Sequence, residues 1–214
     1  MKRAFIFYGG WEGHQPALFK EWAVERLSGN GFEVEAGDSL EPLADRAWLE
    51  RFDLIVPIWT MGDLTEEQEK GLKEAVRGGV GLAGWHGGMG DAFRSRATYQ
   101  FMVGGQFVSH PGGIVSYDVN ITRPDDPIMK GLGDFSITSE QYYLHVDPSN
   151  EVLATTLFRG ETHPWIAGVE MPVVWKRRWG EGRVFYSSLG HVRAEFDIPE
   201  VDELTLRGLL WASR

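Results

Sequence analysis

The chain has 214 residues, with 31 acidic side chains against 21 lysines and arginines and a formal charge of −10. That charge repels phosphate backbones and anionic lipid surfaces, which argues against nucleic acid and membranes as partners. With no cysteine, disulfides, thiolate metal sites and a cysteine nucleophile are all excluded.

The length fits one domain, residues 1–214, able to bury a core without covalent staples. The start, "MKRAFIFYGGW", holds an apolar run too short for a signal segment and far below the roughly 20 residues of a membrane span, so a cytoplasmic protein is expected. In chain order, Ala4 to Tyr8 reads as a first strand. Pro16 to Leu27 reads as a helix with proline in its first turn, stopped by Gly29-Asn30-Gly31. Phe32 to Ala36 is a second strand, Ala44 to Glu50 a short helix and Leu54 to Ile58 a third strand. Thr65-Glu66-Glu67-Gln68 has the form of a capping box opening a helix to about Arg77, and Val80 to Ala83 is a fourth strand. Ile114 to Ile121, Val152 to Phe158, Pro172 to Arg177 and Arg183 to Ser188 are strand-like, Gly180-Glu181-Gly182 marks a hairpin, and Val201 to Trp211 is a closing helix. Alternation of strands and helices to residue 90 predicts a three-layer α/β domain around a mostly parallel sheet, with an antiparallel addition from the second half.

Ligands of open parallel sheets gather beyond the carboxyl ends of the strands. Here those ends carry "GGWEGH" (residues 9–14), Trp59-Thr60-Met61, Trp85-His86 and Leu189-Gly190-His191. Gly84-Trp85-His86-Gly87-Gly88 also has the spacing of a nucleophile elbow, in which small neighbours let a sharp strand-to-helix turn hold one side chain above the sheet. The residue at its apex is a histidine. Because imidazole titrates near neutrality and serves as base, acid or ligand, three histidines at one edge point to a shared site. Glu140, in "SEQYYLHV", sits in a polar and aromatic cluster at a strand-like boundary. Tyr142 and Tyr143 would face opposite ways on a strand, so one of them faces the site.

The segments "LAGWHGG", "YQFMVGGQFVSHPGG", "PIMKGL", "SEQYYLHVDP" and "PVVWKRRWGEGRVFYSSLGH" together resemble the ThuA-like family, named for trehalose utilisation. The resemblance implies a flavodoxin-like core shared with class I glutamine amidotransferases. Those enzymes carry a cysteine at the elbow and a histidine after a later strand; here the two positions are held by His86 and His191, so glutaminase chemistry is excluded. His86, Glu140 and His191 are expected to be catalytic and to line one cleft, with Trp11, His14 and Trp85 at its wall. Trp59, His110, Tyr142 and His145 complete the expected substrate-binding set. Three or four of His14, His86, His110, Glu140, His145 and His191 could surround Zn²⁺ or Mn²⁺, but no pair has a helical i, i+4 spacing, so the sequence leaves the metal open.

Two readings of function follow. In the first, the protein is an enzyme on a sugar derivative, cleaving or converting a keto-disaccharide or keto-glycoside. Glu140 or His191 would remove a proton beside the carbonyl and His86 would act as acid, since the carboxylate pair of an ordinary glycosidase is not evident. In the second, the fold has lost its chemistry and its tryptophan-rich mouth holds a carbohydrate or a protein. Nine tryptophans in 214 residues suit either reading. The sequence names a small sugar as partner and leaves homo-oligomerisation open.

Overall fold

The computed structural model describes residues 1–214. Strand β1 (Lys2–Gly10) alternates its side chains between two cores: Ala4 and Ile6 enter one, Phe5 and Phe7 the other. Because both faces are covered, β1, β3 (Leu54–Thr60) and β4 (Gly81–Trp85) are apolar almost throughout rather than alternating with polar residues. Helices α1 (Pro16–Gly29) and α6 (Pro199–Ala212) close the first face through Phe19, Trp22, Leu204 and Leu209. Helices α3 (Glu66–Arg77) and α5 (Ala97–Val103) close the second through Leu72, Val76, Tyr99 and Met102. Three layers result. The capping box at Thr65 and Gln68 is present in full; a cap of this kind contributes about 1 kcal/mol.

The main sheet has nine strands in the order β2-β1-β3-β4-β11-β10-β9-β6-β7. β2 (Phe32–Gly37), β1, β3, β4 and β11 (Gly182–Ser187) pair in parallel. β10 (Glu170–Trp179), β9 (Glu151–Leu157), β6 (Ile114–Ile121) and β7 (Phe135–Glu140) extend the sheet by antiparallel pairing, so only β10 and β6 run against the common direction. The expected hairpin closes at Trp179 opposite Gly182. A separate two-stranded sheet joins β5 (Gly105–Ser109) to β8 (Tyr143–Val146).

Besides 3₁₀ turns, α5, β5 and β7 have no counterpart in the sequence reading, and β8 is expected there only as a strand at Tyr142 and Tyr143. The three strands are short and polar or glycine-bearing, and gain their order from a partner strand distant in sequence. The short helix expected near residue 44 is divided into a 3₁₀ turn at Glu41–Ala44 and α2 (Arg46–Leu49), because the Asp45 side chain accepts from Trp48 N and starts a new helix there. No helix is long and apolar enough to cross a membrane.

Candidate functional site

β4 ends at Trp85, and the chain turns directly into α4 (His86–Gly90). His86 occupies the turn with φ +43°, a left-handed conformation that non-glycine residues adopt only when their surroundings hold them there. Those surroundings are on both sides. A Cβ on Gly84 would lie 3.1 Å from the Pro57 carbonyl, and one on Gly88 would lie 3.2 Å from Ile58 Cα, so both glycines let α4 sit against β3. Tyr186 Oη donates to the His86 carbonyl at 3.1 Å. The elbow expected from G-x-H-x-G is therefore built, and it aims an imidazole.

That imidazole and two others converge on one carboxylate oxygen. His86 Nε2 lies 3.1 Å from Glu140 Oε2, His191 Nδ1 3.3 Å and His14 Nε2 3.8 Å from the same atom. His110 Nε2 approaches the other carboxylate oxygen at 3.5 Å. Glu140 arrives from the end of β7, His191 from the loop after β11, and His14 from a 3₁₀ turn after β1. One donor atom from each of His14, His86, Glu140 and His191 falls within 4.8 Å of all the others, the spacing of a set able to hold a metal ion.

Outer contacts hold these rings. His86 Nδ1 donates to the Ser188 carbonyl at 2.8 Å, and Tyr142 stacks on the same imidazole with centroids 4.0 Å apart. His14 Nδ1 bonds the Thr60 hydroxyl at 2.8 Å. Glu195 Oε2 accepts from the backbone N–H groups of Gly190 and His191, fixing the loop that presents His191. Burial lowers the His86 pKa to about 4, so its ring is neutral at pH 7. Burial alone would raise Glu140, but the imidazoles of His14, His191 and His86 outweigh it and hold the carboxyl well below the usual range. His191, beside that carboxylate, has its pKa raised.

Several expected site residues lie elsewhere. His145 is exposed on β8 opposite Gln106, outside the cluster, because the strand's period sends Leu144 inward instead. Trp85 is 2% exposed and packs edge-on against Phe19 and Trp22 in the core, and it also lines a small cavity with His14, Thr60 and His86. Trp59 leaves β3 on the opposite face from Thr60 and lies against Gly9 and Gly62. Trp11, 46% exposed, sits edge-on to His14 with centroids 4.7 Å apart and marks the mouth together with the half-exposed His110. His14, expected at the wall and among the possible metal ligands, is part of the cluster. Of the tyrosine pair, Tyr142 faces His86 and Tyr143 turns to Phe158. Thr60, Ser188 and Glu195 were not foreseen; Thr60 carried a signal, its place at the end of β3, whereas Ser188 contributes a backbone carbonyl and leaves no mark in side-chain chemistry.

Fold and pocket together define a mixed α/β protein with three imidazoles and a carboxylate buried at the carboxyl edge of its parallel strands. The family model for ThuA, described as trehalose utilisation, matches residues 3–212, and the chain belongs to that family. A ThuA-like protein of Bacteroides uniformis ATCC 8492 superposes with a TM-score of 0.81 at 19% identity, covering 99% of this chain and 91% of that one. One from Parabacteroides merdae ATCC 43184 gives 0.78 at 21% identity, covering 99% and 89%. The same fold occurs within a β-galactosidase of Bacillus circulans sp. alkalophilus, at a TM-score of 0.56 and 15% identity, covering 99% of this chain and 30% of that one. No curated protein sequence matches the chain.

Proposed function

We propose that this protein is an enzyme that converts a sugar derivative, a keto-disaccharide or keto-glycoside, by proton transfer beside the carbonyl, on a flavodoxin-like core of the amidotransferase type. The carrying observation is the convergence of His14, His86, His191 and Glu140 in one buried pocket whose mouth is lined by Trp11 and His110. The carbohydrate class rests on the family's role in trehalose utilisation. A pocket of imidazoles around a single carboxylate favours proton transfer over hydrolysis by a carboxylate pair, which needs two such groups flanking the bond. The other buried glutamate beside His191, Glu195, has one oxygen committed to two backbone amides.

Electrostatics divides the roles. A carboxylate held well below its usual range is a weak base, and a neutral His86 with a pKa near 4 is a poor source of protons at pH 7. Glu140 and His86 therefore anchor the pocket, while His191 and His110, on the accessible side, exchange protons with the substrate. An aromatic ring at the entrance, Trp11, suits the apolar face of a sugar.

The test is turnover of a panel of disaccharides and their keto derivatives by the purified protein, followed by loss of carbonyl absorbance and release of monosaccharide. Glu140→Gln keeps shape but removes the charge that orients three imidazoles, and should lower turnover about 10²-fold or more with little change in binding. Undiminished turnover in that variant would remove the pocket from the reaction. Sugar binding with no turnover of any keto derivative would leave the protein a carbohydrate-binding module.

A further inference from the structure

Buried imidazole nitrogens beside Glu140 are left without partners. The Ser188 carbonyl can only accept, so His86 Nδ1 carries a proton and Nε2 is the nitrogen turned to the pocket. That nitrogen lies 3.1 Å from Glu140 Oε2. Around the pocket His14 Nε2 and His191 Nδ1 are buried, lie near the same oxygen, and have no hydrogen-bond partner. Two buried nitrogens left without a partner beside one carboxylate oxygen are costly unless something they can bind lies among them.

The geometry points to a binding site for one divalent transition-metal cation, held by His14 Nε2, His86 Nε2, Glu140 Oε2 and His191 Nδ1. Ligands about 2.0–2.1 Å from a tetrahedral zinc lie about 3.3 Å from one another. The distances from Glu140 Oε2 to the three nitrogens, 3.1, 3.3 and 3.8 Å, bracket that edge. Histidine ligands of metals characteristically use their second nitrogen to bond an outer partner that fixes tautomer and ring direction. His86 does so through the Ser188 carbonyl and His14 through Thr60. Room for the His14 ring comes from Gly87, where a Cβ would lie 2.5 Å from its Nδ1. Three nitrogens and one oxygen favour Zn²⁺ over Mn²⁺ on the general order of divalent affinities, and give no advantage to Mg²⁺ or Ca²⁺, which prefer all-oxygen sites. His110 Nε2, facing the other carboxylate oxygen, stands outside the donor set and remains the pocket's free imidazole. Such a cation would supply Lewis acidity to a carbonyl or hydroxyl oxygen entering from the mouth.

The inference goes beyond the proposed reaction, because it concerns binding with no sugar present. Protein stripped with a chelator is titrated with ZnCl₂ and with MnCl₂ by calorimetry, and with Co²⁺ by visible absorption, whose band intensity reports low coordination number. We expect one equivalent per chain, zinc tighter than manganese, and intense Co²⁺ bands. Thr60→Val, which keeps side-chain shape and removes only the outer partner of His14, should weaken Zn²⁺ binding about 10–100-fold. Glu140→Gln and His14→Asn should weaken it further, and His145→Ala, at an exposed imidazole outside the cluster, should leave it unchanged. Circular dichroism establishes that each variant is folded; if one is not, Thr60→Val against wild type decides. Absence of stoichiometric binding, or binding that survives Thr60→Val and Glu140→Gln undiminished, overturns the site. A protein that binds zinc yet converts no keto sugar refutes the proposed reaction and leaves this site standing; turnover by a protein that binds no cation does the reverse.

Discussion

Gly87→Ala places one methyl group where the His14 imidazole lies. The new Cβ would sit 2.5 Å from His14 Nδ1 and 3.0 Å from Tyr142 Oη, well inside contact distance. His14 is buried and tied at the same nitrogen to Thr60, so its ring moves only by giving up that 2.8 Å hydrogen bond. Overpacking of this kind costs about 1–3 kcal/mol, and a lost buried hydrogen bond about 1 kcal/mol more. Replacing a helical glycine by alanine returns about 0.5–1 kcal/mol, since Gly87 lies inside α4 and has no positive φ to protect. The net expectation is a loss of about 1–3 kcal/mol, which for a chain of this size lowers the melting temperature by roughly 3–10 °C. The functional loss should exceed the structural one: displacement of His14 removes one of four converging donors, so Zn²⁺ affinity should fall by about 10²-fold or more in protein that is still folded. Differential scanning calorimetry and Zn²⁺ titration of the same preparations measure both. A Gly87→Ala protein with wild-type melting temperature and wild-type zinc affinity would refute the claim that the glycine is required by the His14 ring.

Gly190→Ala adds a Cβ at φ +97°, 2.6 Å from Phe196 Cε2 and 2.9 Å from Trp85 Cδ1, and should destabilise by about 2–4 kcal/mol as strain and overpacking combine; a urea midpoint equal to wild type would contradict this. Stability of the chelated protein should fall on acidification. The unfolded His86 binds a proton below about pH 6.5 while the folded one resists until about pH 4, so the unfolded state holds more protons in that window. Between pH 7 and 5 the contribution is about 2 kcal/mol, opposed in sign by His191, whose raised pKa adds stability at low pH that is lost as pH rises. Urea unfolding at the two pH values should show a smaller acid loss in His86→Asn than in wild type, and equal losses would remove His86 as the cause. Arg96→Ala breaks a surface pairing with the exposed Asp63, whose pKa that guanidinium and Ser95 hold near 2; solvent screens such a pair, so the thermal unfolding midpoint should stay close to wild type, and a large drop would contradict this.

What the sequence determines by itself is what short range and period control. The alternation of apolar runs and helical patterns in residues 1–90, the capping box at Thr65, the hairpin at Gly180 and the elbow at His86 are all local, and each appears where its residues stand. The parallel strands are legible because burial on both faces writes an unbroken apolar run into the chain. Strands β5, β7 and β8 are not, because each is short, mixed in polarity and ordered by a partner far away in sequence. The site divides along the same line. A strand end is a local property, and it places His14, His86 and His191 at one edge. That Glu140 stands at the centre of them is decided by β7 pairing with β6, an antiparallel extension whose register brings Ile114 opposite Glu140. Only the folded chain puts His145 outside, turns Trp85 into the core, and supplies the Ser188 carbonyl that fixes the proton on His86. The physical reason is that a side chain's chemistry is carried by its identity, whereas its direction, its tautomer and its unpaired atoms belong to neighbours far away in the sequence, 102 residues in the case of the Ser188 carbonyl.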